Sequence, residues 1–186
     1  MSDGIRQGYI VFWIFVMAVI CGAFYCAYLG AVDFAPIGEY FSEYFEHDIN
    51  TQSVFYKALR NNIIFGCVLL LGGFFRWGVV LISAAAFKEG FVTGFCCSSL
   101  ARSLGFFGAC AGAVSELHLL LFLPVLVISS DKSIKTGRNF RDISKKNKIF
   151  FVFFQIFVIT IFCGCAFLES YVNTTFMGWV TSKIMK

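Results

Sequence analysis

Residues 55–94 read FYKALRNNIIFGCVLLLGGFFRWGVVLISAAAFKEGFVTG, and this stretch decides the fold. It is apolar almost throughout. Asn61 and Asn62 nevertheless open one apolar run, Arg76 interrupts it, and Lys88 and Glu89 fall inside the next. Gly90 and Gly94 follow at a small-xxx-small spacing. Lipid solvates carbon-rich segments of this length, and small residues at that spacing let two helix backbones approach closely. A polar side chain kept within such a segment needs a partner, so it marks packing or function.

The rest of the chain has the same character. Of its 186 residues, 59% are hydrophobic, 19% aromatic and only 14% charged, and the mean hydropathy is +0.79. A soluble domain of this size could not cover so much apolar surface. The apolar runs also lack the in–out alternation of a transmembrane β-barrel. The expected fold is therefore all-α, a polytopic helical bundle forming one membrane domain over residues 1–186. Five spans are expected, at about 9–31, 61–77, 78–100, 106–129 and 149–168. The first is too long for the core of a cleaved signal peptide and has no A-x-A site after it. The third allows two geometries: a continuous span holding Lys88 and Glu89, which is preferred, or two half-helices entering and leaving one side.

Between the first two spans the composition changes. Asp33, Glu39, Glu43, Glu46 and Asp48 are interleaved with aromatic residues. Ile37, Tyr40, Phe41, Tyr44 and Phe45 follow helical spacing, so 33–60 reads as an amphipathic segment at the membrane surface. Glu39, Tyr40, Glu43 and Tyr44 are its candidate partner-docking residues. At 131–148, Lys132, Lys135, Arg138, Arg141, Lys145, Lys146 and Lys148 are opposed only by Asp131 and Asp142. Such a short basic loop is expected in the cytoplasm. With five spans, the amino terminus is then inside, and the acidic 33–60 segment and the carboxy terminus are outside.

No HExxH, GxSxG or P-loop pattern occurs. The eight cysteines all lie in apolar runs and read as packing residues. Neither histidine has a cysteine at zinc-ligand spacing, so no metal and no cofactor is expected. Ser115 and His118 stand at i, i+3, which suits a Ser–His pair. The stronger reading is a serine bonded to its own helix and a histidine bonded across helices. The polar set within the spans is Asn61, Asn62, Arg76, Lys88, Glu89 and Glu116. An unpaired charge near the bilayer centre costs about 3 kcal/mol, so these residues are expected to pair, with Glu116 reaching Lys88 or Asn62. A static clamp that fixes helix register is the first expectation. A proton or solute path, in a small permease or channel subunit, is the second. Gly72, Gly73, Gly90 and Gly94 are the expected helix-packing positions.

The central stretch resembles the stage II sporulation protein M family. The matching residues are Phe55 and Leu59 leading into Asn61–Asn62, then Gly72–Gly73, then Glu89–Gly90 followed by Gly94–Phe95. Glu116–Leu117 and Pro124 are similar to the family's later apolar block. Glu89 departs from the Asn or Lys usual before that glycine, and Gly112–Ala113 stands where distant relatives carry His-Gly. The likeness covers roughly residues 9–168. It implies a non-enzymatic scaffold in the plasma membrane of a spore-forming bacterium. In the family that scaffold places two peptidoglycan-degrading partners, stage II sporulation proteins D and P, at the septal membrane during forespore engulfment.

The sidedness has a direct check. Reporters of periplasmic against cytoplasmic exposure, fused at position 45 and after Lys186, should both report the outer side. A cytoplasmic signal at either would remove or add a crossing.

Overall fold

The computed structural model describes residues 6–29, 51–140, 142–172 and 175. Their elements are α1 (Arg6–Tyr28), α2 (Thr51–Gly72), α3 (Gly78–Ser115), α4 (Leu119–Arg138) and α5 (Lys145–Phe167), which runs into a π-helical turn at Leu168–Val172. The described residues contain no strand. Four helices are long and apolar enough to cross a membrane, or five if the bent pair 108–114 and 119–138 counts as one span. The outer surface fits lipid as its solvent. Phe24 is 72% exposed, Leu120 74% and Phe153 68%, a pattern that water would penalise.

α1 packs most extensively on α3, and α2 on α5. Glycines explain the first pairing. A side chain at Gly90 would meet the Phe15 carbonyl of α1, and one at Gly94 would meet the backbone of Val19. In return, a side chain at Gly22 of α1 would meet the Phe91 carbonyl of α3. The two backbones therefore touch, and dispersion replaces the hydrophobic drive that lipid does not supply. At the far end Arg102 completes the pair. Its guanidinium donates to the carbonyls of Cys26 (2.9 Å) and Leu29 (2.7 Å), taking up acceptors that the end of α1 leaves unpaired.

The α2–α3 turn closes by the same means. Gly72 and Gly78 stack backbone to backbone, and Gly73 faces the ring of Phe151. The core between α2, α4 and α5 is a trio of buried rings, with Phe65, Phe122 and Phe162 at centroid distances of 5.1–5.6 Å. A polar seam ties α4 to α5, where fully buried Gln155 donates to the Ser133 hydroxyl at 2.6 Å.

Several boundaries differ from those read in the sequence. α2 starts at Thr51 and ends at Gly72, so Arg60 lies within the helix and Arg76 and Trp77 lie in the following turn, not at the end of a 61–77 span. The amphipathic segment thus divides: 51–60 belongs to α2, and 33–50, with Glu39, Tyr40, Glu43 and Tyr44, lies outside the described residues. Residues 78–103 form one uninterrupted helix around Lys88 and Glu89. The chain then reverses at Gly105, whose φ of 60° and ψ of −135° suit glycine and strain any residue with a Cβ. The reversal brings Cys97 back against Gly112, its Sγ 3.7 Å from that carbonyl. The segment expected as the fourth span is broken at 116–118, and its two helical parts, 108–114 and 119–138, meet at 47°. The basic stretch is mostly helical. Lys135 and Arg138 occupy the last turn of α4, where cations suit the helix dipole, and Ser144 caps α5 by accepting from the Asn147 amide.

Gly94→Val should abolish most folded yield in detergent, because its added carbons would overlap the α1 backbone. Gly164→Ala, where an added Cβ meets nothing, should be neutral or stabilise by up to about 1 kcal/mol. Equal losses of monodisperse protein in size-exclusion chromatography would contradict the close-contact account.

Candidate functional site

The middle of α2 carries Asn61 and Asn62, and each ties α2 to a different helix. Asn62 is buried and donates to the Phe162 carbonyl of α5 at 3.2 Å. One step along the helix turns the next amide by roughly 100°, so Asn61 faces α3. Its Nδ2 donates to both Glu89 carboxylate oxygens at 3.2 Å. Its Oδ1 accepts from the Lys88 ammonium at 3.0 Å, and that ammonium pairs with Glu89 at 2.9 Å. Amide, ammonium and carboxylate close a triangle, which offsets the cost of carrying two charges within the spans.

Behind this triangle is a cavity of about 250 Å³. Phe15 and Phe122 form its apolar side, while Asn61, Asn62, Glu89, Glu116, His118 and Glu169 supply polar groups. Three carboxylates and an imidazole thus converge from α3, the bend before α4 and the π-helical turn after α5, with the two amides of α2 beside them. His118 stands within electrostatic reach of both Glu116 and Glu169. One Glu116 oxygen receives only a weak contact from the Cys97 thiol at 3.8 Å. The other is shielded from solvent and has no hydrogen-bond partner among the described residues. Carboxylic acids and an imidazole lining one cavity can hold and exchange protons. Among the described residues, no group of three or more His, Cys, Asp or Glu side chains is placed to hold a metal ion.

The expected polar set is therefore partly assembled. Asn61, Lys88 and Glu89 bond to one another, and Asn62 and Glu116 line the same cavity. Glu116 bonds to neither Lys88 nor Asn62, because the break at 116–118 holds its carboxylate against Cys97. Arg76 is not part of the set. It sits in the α2–α3 turn and lines a separate cleft with Arg138. The side chain of Ser115 lies outside the described residues, so its pairing with His118 has no geometry here.

Glu169 is the member that sequence reasoning leaves in the tail. A signal for it exists: Gln155, Phe162 and Glu169 recur at seven-residue intervals, and the first two are fully buried on the inner face of α5. Continuing the helix by one wide turn puts Glu169 on that same face.

A family model, described as stage II sporulation protein M, matches residues 11–174. The chain belongs to the stage II sporulation protein M family. The match runs from α1 through the π-helical turn, so every cavity residue of this family member falls inside it. With its apolar helices, it is a multi-pass membrane protein linked to sporulation. No curated protein and no solved structure matches the chain.

The geometry separates two roles that look alike in sequence. Asn61→Ala removes three cross-helix bonds and should lower stability by about 1–2 kcal/mol. Glu116→Gln replaces a carboxylate held by one weak contact, and should leave stability unchanged or raised. Thermal unfolding in detergent reads both. A larger loss for Glu116→Gln than for Asn61→Ala would reverse the assignment.

Proposed function

We propose that this protein is a non-enzymatic scaffold in the plasma membrane of a spore-forming bacterium. In this reading it positions peptidoglycan-degrading partners, of the kind of stage II sporulation proteins D and P, at the septal membrane during forespore engulfment. The observation that carries the reading is the family match over residues 11–174. The geometry is compatible with it. Backbone contact through Gly22, Gly90 and Gly94, the Asn61–Lys88–Glu89 triangle and the Arg102 cap make a stiff frame, and a frame suits holding partners. The acidic, aromatic segment around Glu39, Tyr40, Glu43 and Tyr44 is the proposed docking surface on the outer side.

The cavity favours a second reading. Glu89, Glu116, His118 and Glu169 around one space would also serve a proton or solute path in a permease or channel subunit. Here the Asn61 triangle would hold the walls and Glu116 would carry the proton.

Cells lacking the protein should arrest at engulfment, and the tagged protein should co-purify with wall hydrolases from sporulating cells. Replacing Glu39, Tyr40, Glu43 and Tyr44 together by serine should remove that co-purification while leaving the protein in the membrane. Normal engulfment in the null strain would refute the scaffold. Proton flux into proteoliposomes that Glu116→Gln abolishes would establish the second reading instead.

A further inference from the structure

We propose that the cleft between the α2–α3 turn and the end of α4 binds the phosphodiester headgroup of an anionic phospholipid. The cleft, of about 590 Å³, is lined by Arg76, Trp77, Val79, Arg138 and Asn139. Its size falls within the roughly 300–1,000 Å³ common for small-molecule sites. It contains two guanidinium groups, one amide and no acidic side chain.

The walls are held together by packing. Gly137 of α4 sits directly on the carbonyls of Gly72 and Phe75, so the two turns touch through backbone. The Phe74 ring stands edge-on to Phe140 at 5.1 Å and to Phe151 at 6.2 Å. This contact fixes Arg76 on one turn opposite Arg138 and Asn139 on the other. Guanidinium forks on both walls suit phosphate oxygens, which can accept two parallel N–H bonds from a fork.

Neighbouring cations are engaged elsewhere. Lys132 lies over the rings of Phe150 and Phe154, Lys148 lies over Phe140, and Lys135 pairs with Asp131 at 2.6 Å. Among the described residues, Arg138 meets a neutral oxygen when the Gln7 amide is turned to face it, and no carboxylate pairs with it. Among the described residues Arg76 has no acidic partner, so an anion at the membrane face would not have to displace one. Trp77, 79% exposed, sets the level, because indoles collect where headgroups begin. Basic pockets between helix ends on the side of a short cationic loop are where acidic headgroups bind. Lipid is the committed source of the phosphate, because the cleft stands at the ends of apolar helices long enough to cross a membrane, beside the exposed indole of Trp77. The inference stands independently of the scaffold reading.

The test uses the full chain in detergent micelles doped with dioleoyl phosphatidylglycerol or dioleoyl phosphatidylcholine. Native mass spectrometry would read retained lipid, and thermal unfolding would read stability. Phosphatidylglycerol should be retained and raise the unfolding temperature, while phosphatidylcholine should do neither. Arg76→Gln, which breaks no hydrogen bond or ion pair among the described residues, should weaken retention about fivefold, and adding Arg138→Gln should weaken it further. Lys145→Gln with Lys146→Gln removes as much charge from the same end, outside the cleft, and should change retention less than twofold. Three results would overturn the proposal: equal retention of both lipids, equal loss in the control pair, or displacement of the lipid by millimolar inorganic phosphate.

Discussion

Backbone contact between α1 and α3 is the constraint on which the rest depends. In lipid, two apolar helices gain little by meeting, since the tails they displace are as apolar as they are. Close approach is what makes their association favourable, and only glycine at 22, 90 and 94 permits it. Once α3 is seated on α1, Lys88 and Glu89, immediately before Gly90, are held in one orientation toward α2. Asn61 then has a fixed target, Asn62 is turned toward α5, and the aromatic trio of Phe65, Phe122 and Phe162 fills the space beneath.

Polar groups are therefore distributed by depth and duty. Those in the triangle, in the Gln155–Ser133 seam and at the Arg102 cap are bonded across helices, and they fix register. Not all are fully satisfied: the second oxygen of Glu116 at the cavity and the amide oxygen of Gln155 in the seam are both buried without a donor among the described residues. A buried carboxylate oxygen without a donor costs stability and does not add to it.

Much of this was legible in the sequence, and the reasons are physical. Unbroken apolar runs in lipid leave the helix as the main way to satisfy the backbone, so the all-α bundle followed from composition. The glycines at 72, 73, 90 and 94 could be read because nothing else suits such close approach. Helix ends were harder. Apolarity marks where lipid is, whereas the helix continues past it: α4 carries its basic residues to Arg138, and α2 begins at Thr51. Arg76 was misplaced because the helix stops at Gly72 while the apolar run continues through Phe74 and Phe75. Glu169 was missed because it follows the last apolar residue, although its spacing from Gln155 and Phe162 announces the inner face of α5.

The pairing order also sets a timetable for synthesis. α1 finds its main neighbour in α3, and the cap that finishes it comes from Arg102, 76 positions beyond Cys26. At roughly 5–20 residues per second, the ribosome needs about 4–15 s to make that interval. Through most of it the first helix resides in the bilayer without the helix it packs on. Its window hydropathy of 2.5, with no charge from 7 to 28, makes it able to wait there.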